Sequence, residues 1–231
     1  MPRVMVIGTG TNVGKTYVTK ALARALQAHC PEGAVTALKP VESGFAAGPD
    51  SDAEQLAAAT RGFAPPSRHP LFGFPDPVSP HLAARRAGLA EVEIGQVAAW
   101  LTDLEHRVTS HVASCHWSVI ETAGALFSPL GPNTTNFELA SALGPAFWVL
   151  VAPDALGVLH DVRVTWEACA RRGRVPDFLV LSASRTPDAS TGTNADELRT
   201  LGIADPIQTL APDASDLTPL ARALLTRQQE A

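Results

Sequence analysis

The stretch Arg3-Val4-Met5-Val6-Ile7-Gly8-Thr9-Gly10-Thr11-Asn12-Val13-Gly14-Lys15-Thr16 decides how the rest of the chain is read. A short apolar run, rich in β-branched residues, breaks into a glycine-rich turn and closes on Gly-Lys-Thr. The pattern predicts a strand, a phosphate-binding loop and the start of a helix. Gly8, Gly10 and Gly14 carry no Cβ that would keep backbone N–H groups from turning inward around an anion, and a helix N-terminus adds its own open amides. Lys15 brings a mobile positive charge, and Thr16 a hydroxyl suited to a hard cation. The common form of such a loop, Gly-x-x-x-x-Gly-Lys, is one residue shorter than the span from Gly8 to Gly14 here.

The bulk composition sets the frame around that loop. A chain of 231 residues with 45% hydrophobic, 6% aromatic and 18% charged residues is an ordinary globular protein, of a size that suits one α/β domain over 1–231. The net charge of −5 and the absence of any Lys/Arg run exclude a nucleic-acid footprint, so an anionic ligand must be captured locally. Cys30, Cys115 and Cys169 stand far apart, odd in number, and predict neither disulfides nor a zinc knuckle. The seven histidines form no His-Glu-x-x-His pattern, and Gly-x-Ser-x-Gly is missing. Met1-Pro2-Arg3 leads straight into the first strand, without a signal peptide, and no run has the length of a membrane span, so no membrane partner and a cytoplasmic location are expected.

Downstream, strand and helix patterns alternate. Val18, Ala21, Leu22, Ala25 and Leu26 have helical spacing over Tyr17–Ala28. Val35-Thr36-Ala37-Leu38 reads as a strand that delivers Lys39 at its C-terminal end. Ser51-Asp52-Ala53-Glu54 has the Ser-x-x-Glu form of a helix start. Asp52 would then lie in the first turn, where a carboxylate meets the helix dipole favourably by about 0.3–1 kcal/mol. Prolines at 65, 66, 70, 75, 77 and 80 exclude a helix or central strand from Arg61 to Pro80 and predict a covering loop.

A helix is expected from Glu93 to about Val108. Trp117-Ser118-Val119-Ile120 is a strand that places Glu121 ahead of the small-residue turn Thr122-Ala123-Gly124. Further strands are expected at Phe147–Val151, Phe178–Leu181 and Ile207–Leu210, with helices over Val158–Ala170 and Leu217–Arg227. Such alternation builds a mostly parallel sheet with helices on both faces and ligands at the C-terminal edge of its strands.

These landmarks, in this order, resemble the ATP-dependent dethiobiotin synthetases, whose fold is α/β and P-loop NTPase-like, over nearly the full length. Gly8 to Thr16 is similar to the family's loop, extra residue included. Lys39-Pro40-Val41-Glu42-Ser43-Gly44 is similar to its Lys-Pro-x-x-Ser/Thr-Gly segment, Ser51-Asp52 to its metal segment, Pro77-Val78-Ser79-Pro80-His81 to a Ser-Pro-His landmark, and Glu121 to Leu130 to its Glu-Gly-Ala-Gly-Gly segment.

The resemblance implies a homodimeric ligase that converts 7,8-diaminopelargonic acid and CO₂ (or bicarbonate) to dethiobiotin with ATP, or another nucleoside triphosphate, and Mg²⁺. It implies Lys15 and Lys39 as catalytic cations and Thr11 and Ser43 as substrate contacts. The nucleotide would be held by Asn12, Val13, Gly14, Lys15, Thr16, Tyr17, Asp52, Glu121, Thr122, Ala123, Gly124, Ser182, Ala211 and Pro212, and Mg²⁺ by Thr16, Asp52 and Glu121.

The chain also departs from that pattern. Asn12 replaces a frequent Glu, Thr122 and Ala125 replace glycines, Asp161 stands in a segment that elsewhere continues Asn-His, and Ser182 stands where an adenine-reading Asn is common. Thr122, Ala125 and Ser182 motivate an alternative, a nucleotide-binding paralogue with weak or no ligase activity and a regulatory or assembly role. A partition-type ATPase is disfavoured, because Thr9 and Gly10 occupy the region where its signature lysine is expected.

Overall fold

The computed structural model describes residues 1–31, 34–60, 69–109, 116–184, 186–211 and 216–230. Its strands are β1 (Arg3–Gly8), β2 (Val35–Leu38), β3 (Val41–Ser43), β4 (Phe72–Phe74), β5 (Trp117–Glu121), β6 (Pro129–Gly131), β7 (Thr134–Thr135), β8 (Phe147–Asp154), β9 (Phe178–Ala183) and β10 (Ile207–Leu210). Its helices are α1 (Lys15–Gln27), α2 (Asp52–Ala59), α3 (Pro80–Ala87), α4 (Ile94–Thr109), α5 (Asn136–Ala142), α6 (Val158–Arg171), α7 (Asn194–Thr200) and α8 (Thr218–Gln229).

Six strands form one sheet in the order β10-β9-β8-β1-β5-β2. Every pairing in it is parallel. The apolar strands β1, β2, β5, β8 and β9, buried almost throughout, explain this arrangement, since a strand covered on both faces needs no polar side, while β10 closes the edge with Gln208 and Thr209 less buried. In β1, Val4 and Val6 face a cluster with Leu22 and Leu26 of α1 and Leu220 and Leu224 of α8. Met5 and Ile7 face the opposite cluster, with Leu101 and Leu104 of α4, Leu139 of α5 and Val162 of α6.

Because all six strands run the same way, the ends of β1, β2 and β5 emerge on one edge, with β1 flanked by β5 on one side and β8 on the other. The chain after β1 moves first to β2 and β5, and only later returns to β8 on the other side. The glycine-rich loop therefore opens where strand order reverses, the position at which parallel α/β sheets leave a crevice.

The proline-rich stretch corrects one expectation. Residues 61–68 lie outside the described residues, but Phe72–Phe74 is a strand rather than loop, paired in parallel with Val41–Ser43 apart from the main sheet. Pro70 and Pro75 bracket it and limit it to three residues, because neither can donate to a ladder. Pro80 opens α3 at a position where its missing N–H costs nothing. Two short helices had no clear apolar period in the sequence. α5 is fixed by a capping box between Thr135 and Glu138, and α7 packs Leu198 into the core.

Candidate active site

The loop after β1 turns through two left-handed residues, Asn12 with φ 59° and Gly14 with φ 90°. Asparagine is among the few side chains that tolerate this region, which accounts for Asn12. A Cβ at Gly14 would also lie 2.7 Å from Ser182 Oγ, so glycine is required there twice over. Gly8 serves differently. It leaves room for the Lys15 stem, whose Cδ would stand 3.0 Å from a Cβ at that position.

Lys15, at the first position of α1, folds back across the loop and donates to the Gly10 carbonyl at 2.8 Å. Burial pushes its ammonium down to about 8. Glu121 and Asp52 oppose that shift, and the like charge of Lys39 adds to it.

Beside the loop, three elements converge on one ion cluster. Lys39 leaves the end of β2 and donates to Asp52 Oδ2 at the start of α2, and to Glu121 Oε1 at the end of β5 at 2.8 Å. Thr16 Oγ1 donates to the same Glu121 oxygen at 3.0 Å. Burial works against the Lys39 charge, but Glu121 and Asp52 together outweigh it and raise its pKa above the ordinary lysine value. Residues far apart in sequence, Thr16, Lys39, Asp52 and Glu121, thus share one hydrogen-bonded network beside Lys15.

The turn after Glu121 explains two of the departures from the family pattern. Thr122 sends both its N–H (3.1 Å) and its hydroxyl (3.4 Å) back to the Val6 carbonyl on β1. Gly124 alone in the turn has a positive φ, 75°, so Thr122 and Ala125 occupy backbone conformations open to any L-residue. The replaced glycines are not needed for the turn's dihedrals. Asn136, fully buried at the start of α5, donates to the carbonyls of Ala123 and Ala125 and locks the turn from behind.

The remaining expected residues fall at varied depths. Thr11 is exposed at the loop's tip, its Oγ1 3.8 Å from where a Gly124 Cβ would be. Ser43, ending β3, has a buried hydroxyl without a hydrogen-bond partner among the described residues. Val13 is buried, and Tyr17 is half-buried on α1. Ser182 is buried at 3% exposure and donates to the Val13 carbonyl at 2.6 Å. Its hydroxyl is thus committed to bracing the loop from beneath. Ala211 is exposed just past β10, and Pro212 lies outside the described residues.

Two participants, Glu42 and Asn136, were not legible as such in the sequence. Glu42 accepts from the backbone N–H groups of Asp52 and Ala53 at 2.9 and 3.0 Å, and from Ser51 Oγ at 3.1 Å. The half-polar pattern of Val41-Glu42-Ser43 was the only hint, since nothing in spacing pairs a strand carboxylate with a helix start ten residues away. The Ser-x-x-Glu box is accordingly only half formed. Ser51 Oγ accepts from the Glu54 N–H at 3.4 Å, but the Glu54 carboxylate turns to the Gly48 N–H at 2.8 Å.

The donor set fits a hard divalent cation. Glu121 Oε2 is buried without a hydrogen-bond partner among the described residues, an acceptor left free beside the Asp52 carboxylate and the Thr16 hydroxyl. Carboxylate and hydroxyl oxygens completed by phosphate oxygens suit Mg²⁺. Among the described residues, no group of three or more His, Cys, Asp or Glu side chains forms an all-protein metal cage.

A parallel sheet, a Gly-Lys-Thr loop at its switch point and a lysine–carboxylate cluster at the same edge define the class of phosphate-loop α/β proteins, and residues 2–212 match the family described as AAA domain. Among solved structures, a ParA family ATPase from Chlorobium tepidum TLS superposes with TM-score 0.51 at 16% identity, covering 97% of this chain and 88% of that one. The MinC:MinD cell division protein complex of Aquifex aeolicus gives TM-score 0.53 at 10% identity, covering 99% and 90%. At these identities the likeness concerns fold alone. The sequence relatives are more specific. The ATP-dependent dethiobiotin synthetase BioD of Anaeromyxobacter dehalogenans (strain 2CP-C) is 37% identical over 225 residues, 97% of this chain and 96% of its own. The protein of the same name from Saccharopolyspora erythraea is 34% identical over 224 residues, 96% and 92%. The chain belongs to the ATP-dependent dethiobiotin synthetase family.

Proposed function

We propose that this protein, as one domain over residues 1–231, is an ATP- and Mg²⁺-dependent ligase that closes the ureido ring of dethiobiotin from 7,8-diaminopelargonic acid and CO₂ or bicarbonate. The observation that carries the reading is the network of Lys39, Asp52, Glu121 and Thr16 beside Lys15 and the loop. The names and full-length similarity of the relatives agree with it.

In this reading one amine of the diamine adds to CO₂ and gives a carbamate. The carbamate oxygen attacks the γ-phosphorus of ATP, ADP leaves, and the second amine then attacks the carbamoyl carbon, closing the ring and expelling phosphate. Transfer of this kind needs charge neutralisation and alignment more than a covalent nucleophile. Lys15 releases the Gly10 carbonyl and turns to the phosphate oxygens. Lys39 holds carbamate and γ-phosphate oxygens together, at the meeting point of three strand and helix ends. Ser43, whose hydroxyl lacks a partner among the described residues, and Thr11, at the loop tip, serve the substrate. Thr16, Asp52 and Glu121 hold Mg²⁺, which screens the triphosphate charge. Asn12, Val13, Gly14, Tyr17, Thr122, Ala123 and Gly124 wrap the nucleotide, with Ser182 acting through its hold on Val13, and Ala211 and Pro212 complete the proposed nucleotide contacts.

The protein is proposed to act as a homodimer in the cytoplasm, where ATP is available. Leu156, 84% exposed just before α6, and Val164, 51% exposed on it, are apolar side chains suited to a partner surface. No described helix is long and apolar enough to cross a membrane. The test is purified protein with diaminopelargonate, bicarbonate, MgCl₂ and a series of nucleoside triphosphates, followed by mass spectrometry. Dethiobiotin that appears only with nucleotide and metal is expected, and no product with any nucleotide would overturn the proposal.

A further inference from the structure

The Lys39–Asp52 contact joins two segments that the main sheet does not hold together. Lys39 ends β2, whereas Asp52 opens α2, a helix of eight residues reached through the loop after β3. Leu56 of α2 packs with Val35 and Ala37 of β2, and Glu42 adds a hydrogen-bonded tie at the helix's first turn. The Glu42 side chain is buried, at 5% exposure for the residue, and lies in the short strand that begins two residues after Lys39. One carboxylate oxygen accepts from the Asp52 N–H at 2.9 Å, and the other from the Ala53 N–H at 3.0 Å and the Ser51 hydroxyl at 3.1 Å. Ser51 Oγ takes the Glu54 N–H, so the open amides of the first turn are divided between one side chain from outside the helix and one from its cap.

A helix N-terminus is satisfied by water or a local cap in most settings. Here a carboxylate from another element does it, bidentate in form and aligned with the helix dipole. The geometric consequence falls on Asp52. Its backbone is pinned by Glu42 while its side chain meets Lys39, so a short closed circuit runs Lys39 to Pro40 to Val41 to Glu42 to Asp52 and back to Lys39.

We propose that Glu42 is a positioning residue of the phosphoryl-transfer site, which fixes the first turn of α2 so that the Asp52 carboxylate is held at the orientation the divalent cation and Lys39 require. The inference rests on the reading of Asp52 as a metal-site residue. Glu42 touches no reacting atom in this scheme. A residue that merely stabilised α2 would change melting temperature without changing how the site takes a cation.

The experiment compares wild type with Glu42→Gln and Ser51→Ala. Glu42→Gln keeps shape but turns an NH₂ toward a backbone donor, and Ser51→Ala removes one of the three donors. Mn²⁺ binding is titrated by electron paramagnetic resonance in the presence of the non-hydrolysable β,γ-methylene analogue of ATP, beside thermal melts by circular dichroism. For Glu42→Gln the Mn²⁺ affinity should fall about tenfold, as loss of an outer-shell partner does elsewhere, with a smaller loss in Ser51→Ala. The Mg²⁺ concentration for half-maximal rate should rise in parallel, while kcat at saturating metal falls less. Melting temperature that drops while Mn²⁺ affinity stays within about twofold of wild type would overturn the proposal, against that tenfold expectation. Should Glu42→Gln fail to fold, Ser51→Ala decides, and unchanged Mn²⁺ affinity there overturns it. Failure of wild type to make dethiobiotin would defeat the ligase reading while leaving this comparison intact. Wild type that takes up no Mn²⁺ beside the analogue would defeat the metal-site reading and this proposal with it.

Discussion

Replacing Lys39 by methionine tests the central cluster most directly, because the stem is preserved and only the ammonium is lost. In the folded protein that ammonium, on a side chain 8% exposed, lies between the fully buried Glu121 side chain and the Asp52 side chain, which is 35% exposed. The Asp52 contact adds little by itself, since a carboxylate this wet is well screened. Glu121 is the costly partner. Without Lys39 it keeps, among the described residues, only the Thr16 hydroxyl as donor, and removing one member of a buried ion pair costs about 3–5 kcal/mol.

For a chain of this size each kcal/mol corresponds to about 2–4 °C in melting temperature, so Lys39→Met should melt roughly 6–20 °C below wild type. The fold itself should persist, because both core clusters are untouched. Adding Glu121→Gln should recover part of the loss, since the uncompensated charge goes with it. MgCl₂ should raise the melting temperature of Lys39→Met more than that of wild type, because the cation no longer competes with the lysine for the same oxygens. Turnover should fall by about a hundredfold or more, as when one preorganised charge partner of a transition state is removed. Circular-dichroism melts with and without metal, and dethiobiotin formation, read these outcomes. A single variant that melts within about 2 °C of wild type, or a double variant less stable than the single one, would refute the reasoning that Lys39 compensates a buried Glu121.

Three further expectations concern the loop. Lys15, pushed down to about 8, is about half deprotonated at pH 8, and phosphate oxygens will restore its charge. Nucleotide binding should therefore take up about half a proton at pH 8 and about a tenth at pH 7, read by calorimetry in buffers of different ionisation heat, and binding heat independent of buffer would refute it. The folded value lies below the unfolded 10.5, so the unfolded chain holds the extra proton between the two and this group's contribution to stability rises with pH from about 8 to 10.5. Gly14→Ala should cost about 1–2 kcal/mol for its left-handed backbone alone, and more for the 2.7 Å approach of its Cβ to Ser182 Oγ. Melts and nucleotide affinity measure it, and wild-type affinity in the variant would show that the loop does not depend on this packing.

Much of the architecture was legible before any coordinates, for a physical reason. Parallel strands buried on both faces read as apolar runs, and Val35–Leu38 is fully buried with the expected bounds; Ile207–Leu210, at the sheet's edge and buried only at Leu210, also has them, while the others are extended by a few residues at their ends. The elements that escaped are short or held by contacts from elsewhere. β4 depends on pairing with β3 between two prolines, and α5 and α7, seven residues each, are too short to show a helical period. The site followed the same division. The local pattern placed Lys39 and Glu121 at strand ends, which a parallel sheet brings to the edge that carries Lys15, and Asp52 in the first turn of a helix, whereas their roles came from the resemblance to the family.

The sequence by itself determined the loop, the alternating layers and the identity of the charged groups, since each depends on local chain chemistry and on the two-sided burial of β strands. Only the tertiary structure decided how those groups meet. It gave the shared Glu121 oxygen between Thr16 and Lys39, the Glu42 clamp on α2, the Asn136 lock on the turn, and the turning of Ser182 to the Val13 carbonyl. Each of these is a hydrogen bond between segments distant in sequence, whose distance and direction are set by packing of the whole sheet and its helices and leave no trace in residue spacing.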